Sequence, residues 1–147
     1  REVVASHGYD TRVIHNTVDT SRFAYRVRDP LRPRLLSTRN FEWYYGVDQT
    51  LRAFKLIQCT FPDATLDIAG AGSRDAELRA LARSLNVTGV RFLGPVPPSE
   101  IPALHERADI LINSSLIDNQ PFTVIGVSSR ASASSSVGRS RLFSTAS

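Results

Sequence analysis

The chain has no methionine, one cysteine and no apolar run near the length of a membrane span. Each absence excludes something. A lone Cys59 rules out a disulfide scaffold within the chain. It suits a reducing compartment, so the expected setting is cytoplasmic. A spanning helix needs roughly 20 apolar residues, and none is expected here. No secretory leader pattern is visible. The missing methionine and the opening Arg1-Glu2-Val3-Val4 lead to the expectation that the chain is a piece of something longer. Gly126 to Ser147 contains no acidic residue, only Arg130, Arg139 and Arg141. Without those three charges the net charge falls from +4 to +1, so the basic balance belongs to the tail. A nucleic-acid-binding body is not implied. His7, His15 and His105 have no metal-ligand spacing with each other or with Cys59, so no metal site is assigned.

What is present is enough for one domain: 147 residues, 41% of them hydrophobic. Leu66-Asp67-Ile68-Ala69-Gly70-Ala71-Gly72-Ser73-Arg74-Asp75-Ala76-Glu77-Leu78 reads as a strand, a glycine turn and a helix start. Gly70 and Gly72 let the backbone turn tightly and admit a close neighbour. The helix start aims free N–H groups and a positive dipole end at the same spot, which suits an anion. A third glycine is missing from the dinucleotide fingerprint, so a plain strand-to-helix turn is the competing reading.

Along the chain, Arg12 to Asn16 and Leu35 to Ser37 read as short strands, and the arginine- and proline-rich residues 24–34 as an exposed connection. Val47, Leu51, Phe54, Ile57 and Phe61 recur at helical spacing between Gly46 and Pro62. Ala64 to Ala69 is a strand whose near-continuous apolar run suits cover on both faces. Leu78, Leu81, Ala82 and Leu85 mark a helix capped by Ser73 and stopped at Asn86. Val90 to Leu93 is a strand closed by Gly94-Pro95. Ser99 caps a short helix carrying Ile101 and Leu104, with Pro102 in its first turn. Ala108 to Asn113 is a last strand. Alternating strands and helices predict a doubly wound parallel α/β sheet with right-handed crossovers. Four turns should then meet at one end of the strands: Thr38 to Asn40, Gly70 to Gly72, Gly94 to Val96, and Ser114 to Gln120. That convergence favours a ligand at the glycine turn. Trp43, Tyr44 and Tyr45 either stack on a base or sugar or cover the sheet edge. His105 reads as a surface residue, and Cys59 as a packed or half-exposed thiol.

Four phrases in register resemble the family-4 glycosyltransferases. Val13-Ile14-His15-Asn16-Thr17-Val18-Asp19-Thr20-Ser21-Arg22-Phe23 is similar to V-I-P-N-G-V-D-x-x-x-F, with His15 in place of proline. Leu66 to Gly72 resembles L-x-I-x-G-x-G. Val90 to Val96 resembles V-x-F-L-G-x-V. Ala108 to Ser115 resembles A-D-x-x-x-x-P-S. The likeness covers residues 12–125. It implies the C-terminal, nucleotide-sugar-binding half of a GT-B enzyme: a Rossmann-like parallel sheet with helices on both faces, here truncated. It implies retaining hexosyl transfer from a nucleotide-diphospho sugar to a glycan or lipid-linked acceptor. It implies an acceptor held by an N-terminal domain, expected to lie outside these residues, and it implies no cofactor. A setting at the inner membrane face is the corresponding expectation for the parent.

By resemblance, the donor is held by Asn16, Arg39, Asn40, Gly70, Gly72, Leu93, Val96, Asn119, Gln120 and Pro121, with Asp118 as the catalytic candidate. Arg39 supplies the multi-donor cation suited to a departing diphosphate. The sequence departs from the family twice. Tyr45 stands where a lysine is common, in a first loop one residue longer than usual. The E-x7-E motif is met loosely by Asp118, but its second acid falls on Gly126. The expected parts are a linker remnant and first strand (1–23), the incomplete sugar-nucleotide domain (24–125), and a disordered or out-of-frame tail (126–147). A natural low-complexity tail is the alternative. The chain alone is expected to be inactive. The rival readings are a non-catalytic nucleotide- or sugar-binding module and a non-functional fragment.

Overall fold

A computed structural model describes residues 19–23 and 27–117. The expected strand at Arg12 to Asn16 and the tail lie outside the described residues. Four strands, β1 (Arg34–Ser37), β2 (Thr65–Ala69), β3 (Val90–Gly94) and β4 (Ile110–Leu111), alternate with three α-helices, α1 (Val47–Thr60), α2 (Asp75–Ser84) and α3 (Ile101–Arg107). All pairings are parallel, in the order β3-β2-β1-β4. The chain steps outward from β1 to β2 to β3, then crosses back to lay β4 on the far side of β1. Crossovers of one hand that step in opposite directions place their helices on opposite faces.

The packing follows that rule. Leu35, Leu66 and Ile68 of the sheet join Val47, Leu51 and Phe54 of α1 and Leu78 and Ala82 of α2 in one core. Leu36 and Ala69 point the other way and meet Leu104 of α3 in a second, smaller core. Burying each large apolar side chain contributes roughly 1.5–3 kcal/mol, so the α1/α2 face dominates. Phe41 of the first loop is fully buried in that larger core.

The helices differ from the sequence reading mainly at their caps. Gly46, left-handed at φ 62°, ends a short 3-10 turn (Trp43–Tyr45) and starts α1. A Cβ there would run into the Ser114 carbonyl. α1 stops at Thr60, before Pro62, because a residue ahead of proline disfavours helix. Ser73 does not cap α2: Arg74 holds the cap position without a side-chain bond, because the Ser73 hydroxyl is engaged by Glu42. Asn86, with φ 49°, stands two residues past the end of α2 in the conformation that closes helices. Ser99 is not the cap of α3 either; Glu100 precedes the helix, and Pro102 sits in its first turn.

Three further expectations are corrected. β4 pairs over two residues rather than Ala108 to Asn113, since among the described residues it has one neighbour, the four-residue β1. The ladder extends past it only through Asp109 N–H to Arg34 O (2.8 Å) and Ile112 N–H to Leu36 O (2.8 Å). The face of β2 that carries Asp67 is not fully covered. Asp67 is paired with Arg91 opposite it on β3, both oxygens at 2.6 Å. The 24–34 connection is exposed at Val27 and Leu31 but anchored by Arg28 and Arg34. Arg34 donates to both oxygens of Asp109 (2.9 and 3.0 Å), and Arg28 stands 3.4 Å from the same carboxylate. Arg28 also donates to the carbonyls of His105 and Ala108. The Asp109 side chain is 2% exposed, so a buried carboxylate ties this connection to the start of β4.

Candidate functional site

The reversal of strand order falls between β1 and β4, and the crevice of a doubly wound sheet lies at such a switch point, beyond the strand C-termini. There Arg39 Nε donates to Asn113 Oδ1 at 3.0 Å, closing the first loop onto the segment after β4. The same Asn113 oxygen accepts from the Ser115 backbone (3.2 Å) and hydroxyl (2.8 Å). The Arg39 guanidinium lies 5.8 Å from the ring centre of Tyr45, within cation–π range. The Tyr45 ring therefore packs against the arginine at the end of the first loop. Ser114 locks the same seam to α1. Its hydroxyl lies 2.8 Å from Thr50 Oγ1, 3.0 Å from Tyr45 O and 2.8 Å from Gly46 O. The Leu116 N–H donates to Tyr44 O at 2.8 Å.

The remaining loops join by backbone bonds. Phe41 N–H donates to Ala71 O and Arg74 N–H to Phe41 O, both at 3.0 Å. Gly70 N–H donates to Gly94 O at 2.8 Å. The first three predicted turns and the described part of the fourth, 114–117, thus meet at one end of the sheet. Arg39 and Asn113 come together; Asn40 is exposed beside them. Leu93 is exposed on β3, and Val96 packs half-buried against the smaller core. Asn16, Asp118, Asn119, Gln120 and Pro121 lie outside the described residues. Trp43 is exposed and meets Tyr44 edge-on, with ring centres 5.6 Å apart, while Tyr44 and Tyr45 are half-buried.

Gly70 and Gly72 have an internal reason for being glycine. A Cβ at Gly70 would strike the Arg39 carbonyl oxygen. One at Gly72 would stand 2.7 Å from both Phe41 O and Glu42 Oε1. Sequence reasoning missed Glu42, whose carboxylate accepts from Ser73 N–H (3.0 Å) and Ser73 Oγ–H (2.7 Å). Those bonds hold its carboxyl below the ordinary glutamate value, with Arg74 adding a smaller pull in the same direction. The only signal for it in the sequence is a lone acid set among aromatic residues, between Phe41 and Trp43. Arg74 is committed to Glu77 (2.6 and 2.8 Å) and Asp48 (3.4 Å).

His105 and Cys59 also depart from expectation. His105 is buried, not on the surface, and packs edge-on to Phe23 at 5.7 Å. Burial, and secondarily the nearby Arg28, pushes its imidazole below the ordinary value. Of the two readings for Cys59, packed or half-exposed, the packed one falls: the thiol is exposed, with its sulfur 3.4 Å from Lys55 O. Among the described residues no group of three His, Cys, Asp or Glu side chains could hold a metal. None of their helices is long and apolar enough to cross a membrane.

A parallel sheet with helices on both faces and its polar loops gathered at the switch point is a doubly wound α/β domain of the Rossmann-like, GT-B kind. The family model for glycosyl transferases group 1 matches residues 21–125, and the chain belongs to that family. It is 31% identical over 122 residues to a glycogen synthase of Mycobacterium tuberculosis, covering 81% of this chain and 29% of that protein. It is 32% identical over 142 residues to a D-inositol 3-phosphate glycosyltransferase of Corynebacterium aurimucosum, covering 88% of this chain and 33% of that one. The chain therefore spans a third or less of these relatives. In fold it is similar to the C-terminal domain of a glycosyl transferase group 1 family protein from Francisella tularensis. That match has a TM-score of 0.62 at 19% identity and covers 75% of this chain and 65% of the other.

Proposed function

We propose that this chain is the donor-binding part of a retaining, family-4 glycosyltransferase, taking a nucleotide-diphospho sugar in the β1/β4 crevice. The observation that carries the reading is Arg39, delivered to the switch point on β1 and bonded to Asn113 across it. A guanidinium offers a planar set of donors matched to phosphate oxygens. At the crevice it would stabilise the charge that develops on a departing diphosphate, with no metal required. Asn40 is the second polar group of the same loop, and Asn119, Gln120 and Pro121 continue the segment that Asn113 begins. Asp118 remains the candidate facing the donor sugar. Gly70 and Gly72 serve the donor indirectly, by letting the first loop pack against the glycine turn. The acceptor, a glycan or lipid-linked molecule, would be held by an N-terminal domain, and a cytoplasmic setting goes with that reading.

The test is calorimetric and NMR titration of the chain with UDP, GDP, ADP and their sugar conjugates. Weak saturable binding of one nucleoside diphosphate is expected, with shifts at Arg39, Asn40 and Asn113, and no turnover. Absence of binding by all three defeats the donor reading. Sugar transfer to any acceptor by this chain alone defeats the expectation of inactivity.

A further inference from the structure

Glu42 is used neither by the family resemblance nor by the Arg39 reading, yet the site end of the sheet is stitched around it. It lies three residues after Arg39 in the first loop. Its carboxylate takes the Ser73 N–H and hydroxyl, at 3.0 and 2.7 Å, just ahead of α2. A strand, glycine turn and helix start offer this position to an anion. Here an anion of the chain itself fills it. The residue before Glu42 is held on both sides, Phe41 N–H by Ala71 O and Phe41 O by Arg74 N–H, at 3.0 Å each. The Phe41 ring is fully buried, edge-on to Phe92. Behind the latch, the carbonyl of Arg39 lies where a Cβ of Gly70 would be, and Glu42 Oε1 lies close to where a Cβ of Gly72 would be. The space at both glycines is taken up by the first loop.

We infer that Glu42 is a positioning residue, whose hydrogen bonds to Ser73 latch the first loop onto the glycine turn and so aim Arg39 across the β1/β4 crevice. A nucleoside diphosphate is then directed to the Arg39–Asn113 seam and kept from the start of α2, which is already occupied. The latch is a matter of structure; only its effect on nucleotide rests on the donor reading above.

Amide hydrogen exchange on the whole chain tests it, comparing the wild type with E42A, E42Q and S73A. In E42A, exchange at Phe41, Ser73 and Arg74 rises about tenfold, the factor that loss of a net hydrogen bond carries. In S73A the rise is smaller, at the same amides. A glutamine keeps an acceptor for the amide and a partner for the hydroxyl, so E42Q stays within about twofold of wild type. UDP affinity follows the same ranking. Unchanged exchange in E42A overturns the latch, and so does E42Q behaving like E42A. If E42A does not fold, unchanged exchange in S73A overturns it. A wild type that binds no nucleotide but shows this exchange pattern defeats the donor reading and leaves the latch standing. Nucleotide binding that depends on Arg39 but not on Glu42, with E42A exchange unchanged, does the reverse.

Discussion

At the N-terminal end of the β1/β4 seam, Arg28 and Arg34 meet the carboxylate of Asp109. At the C-terminal end, Arg39 meets the amide oxygen of Asn113. The seam is thus closed at both ends by arginine, but against different partners. The Asp109 side chain is 2% exposed, and its negative charge is enclosed between two guanidinium groups. Asn113 is exposed, and an amide oxygen positions a guanidinium without taking its charge. The closed end holds the fold together. The exposed, open end sets the direction of an arginine through a neutral acceptor. One residue type therefore does two jobs, and the partner's charge and burial decide which.

The largest change should come from breaking the closed end. Asp109→Ala removes a buried carboxylate from two arginines and three hydrogen bonds, and should cost about 3 kcal/mol of stability in urea unfolding. A loss under ~1 kcal/mol would mean the two ends do not differ in this way. Gly70→Ala at the open end forces a Cβ into the Arg39 carbonyl, and about 1–3 kcal/mol of overpacking is expected by the same measurement. Arg39→Ala should leave stability within about 0.5 kcal/mol and weaken UDP binding roughly ten- to a hundredfold, the worth of a hydrogen bond to a charged group. A large fall in melting temperature instead would make Arg39 a structural residue like Arg34.

The smallest effect concerns His105, whose carbonyl receives Arg28 at the closed end. Its folded imidazole titrates below the unfolded value of about 6.5. The unfolded chain therefore takes up the proton first. Stability is fully present above about pH 6.5 and is lost as pH falls through the folded value. His105→Gln should flatten that part of the stability profile. A profile equally steep in the variant would remove His105 from the account.

Much of this was legible in the sequence. The apolar spacing of Val47, Leu51 and Phe54 gave α1, Leu78 and Ala82 gave α2, and the alternation of elements gave the parallel sheet. The meeting of the turns at one end of the sheet, as far as they are described, followed from the same alternation; Arg39 was singled out by the family resemblance. Side-chain partners across long separations did not. Ser73 looks like a helix cap because caps are local, but its hydroxyl is claimed by Glu42, 31 positions away. His105 looks like a surface residue because a seven-residue helix carries too little periodicity to fix its buried face. In sequence, Asp109 is only the second residue of a family phrase. Its partners, Arg28 and Arg34, are 81 and 75 positions back and sat in a segment that composition marked as exposed. The terminal strand was overdrawn because an apolar run reports burial, while strand length is set by how far a neighbour extends.

Gly46 and Ser114 share one small volume: the missing Cβ of the first is where the carbonyl of the second lies, and the serine hydroxyl reaches back to the glycine carbonyl. Neither position can drift alone over evolutionary time. A lineage that gained a side chain at 46 would have to withdraw the backbone at 114, moving Asn113 and the arginine bonded to it. Across relatives, these two positions should change together or not at all.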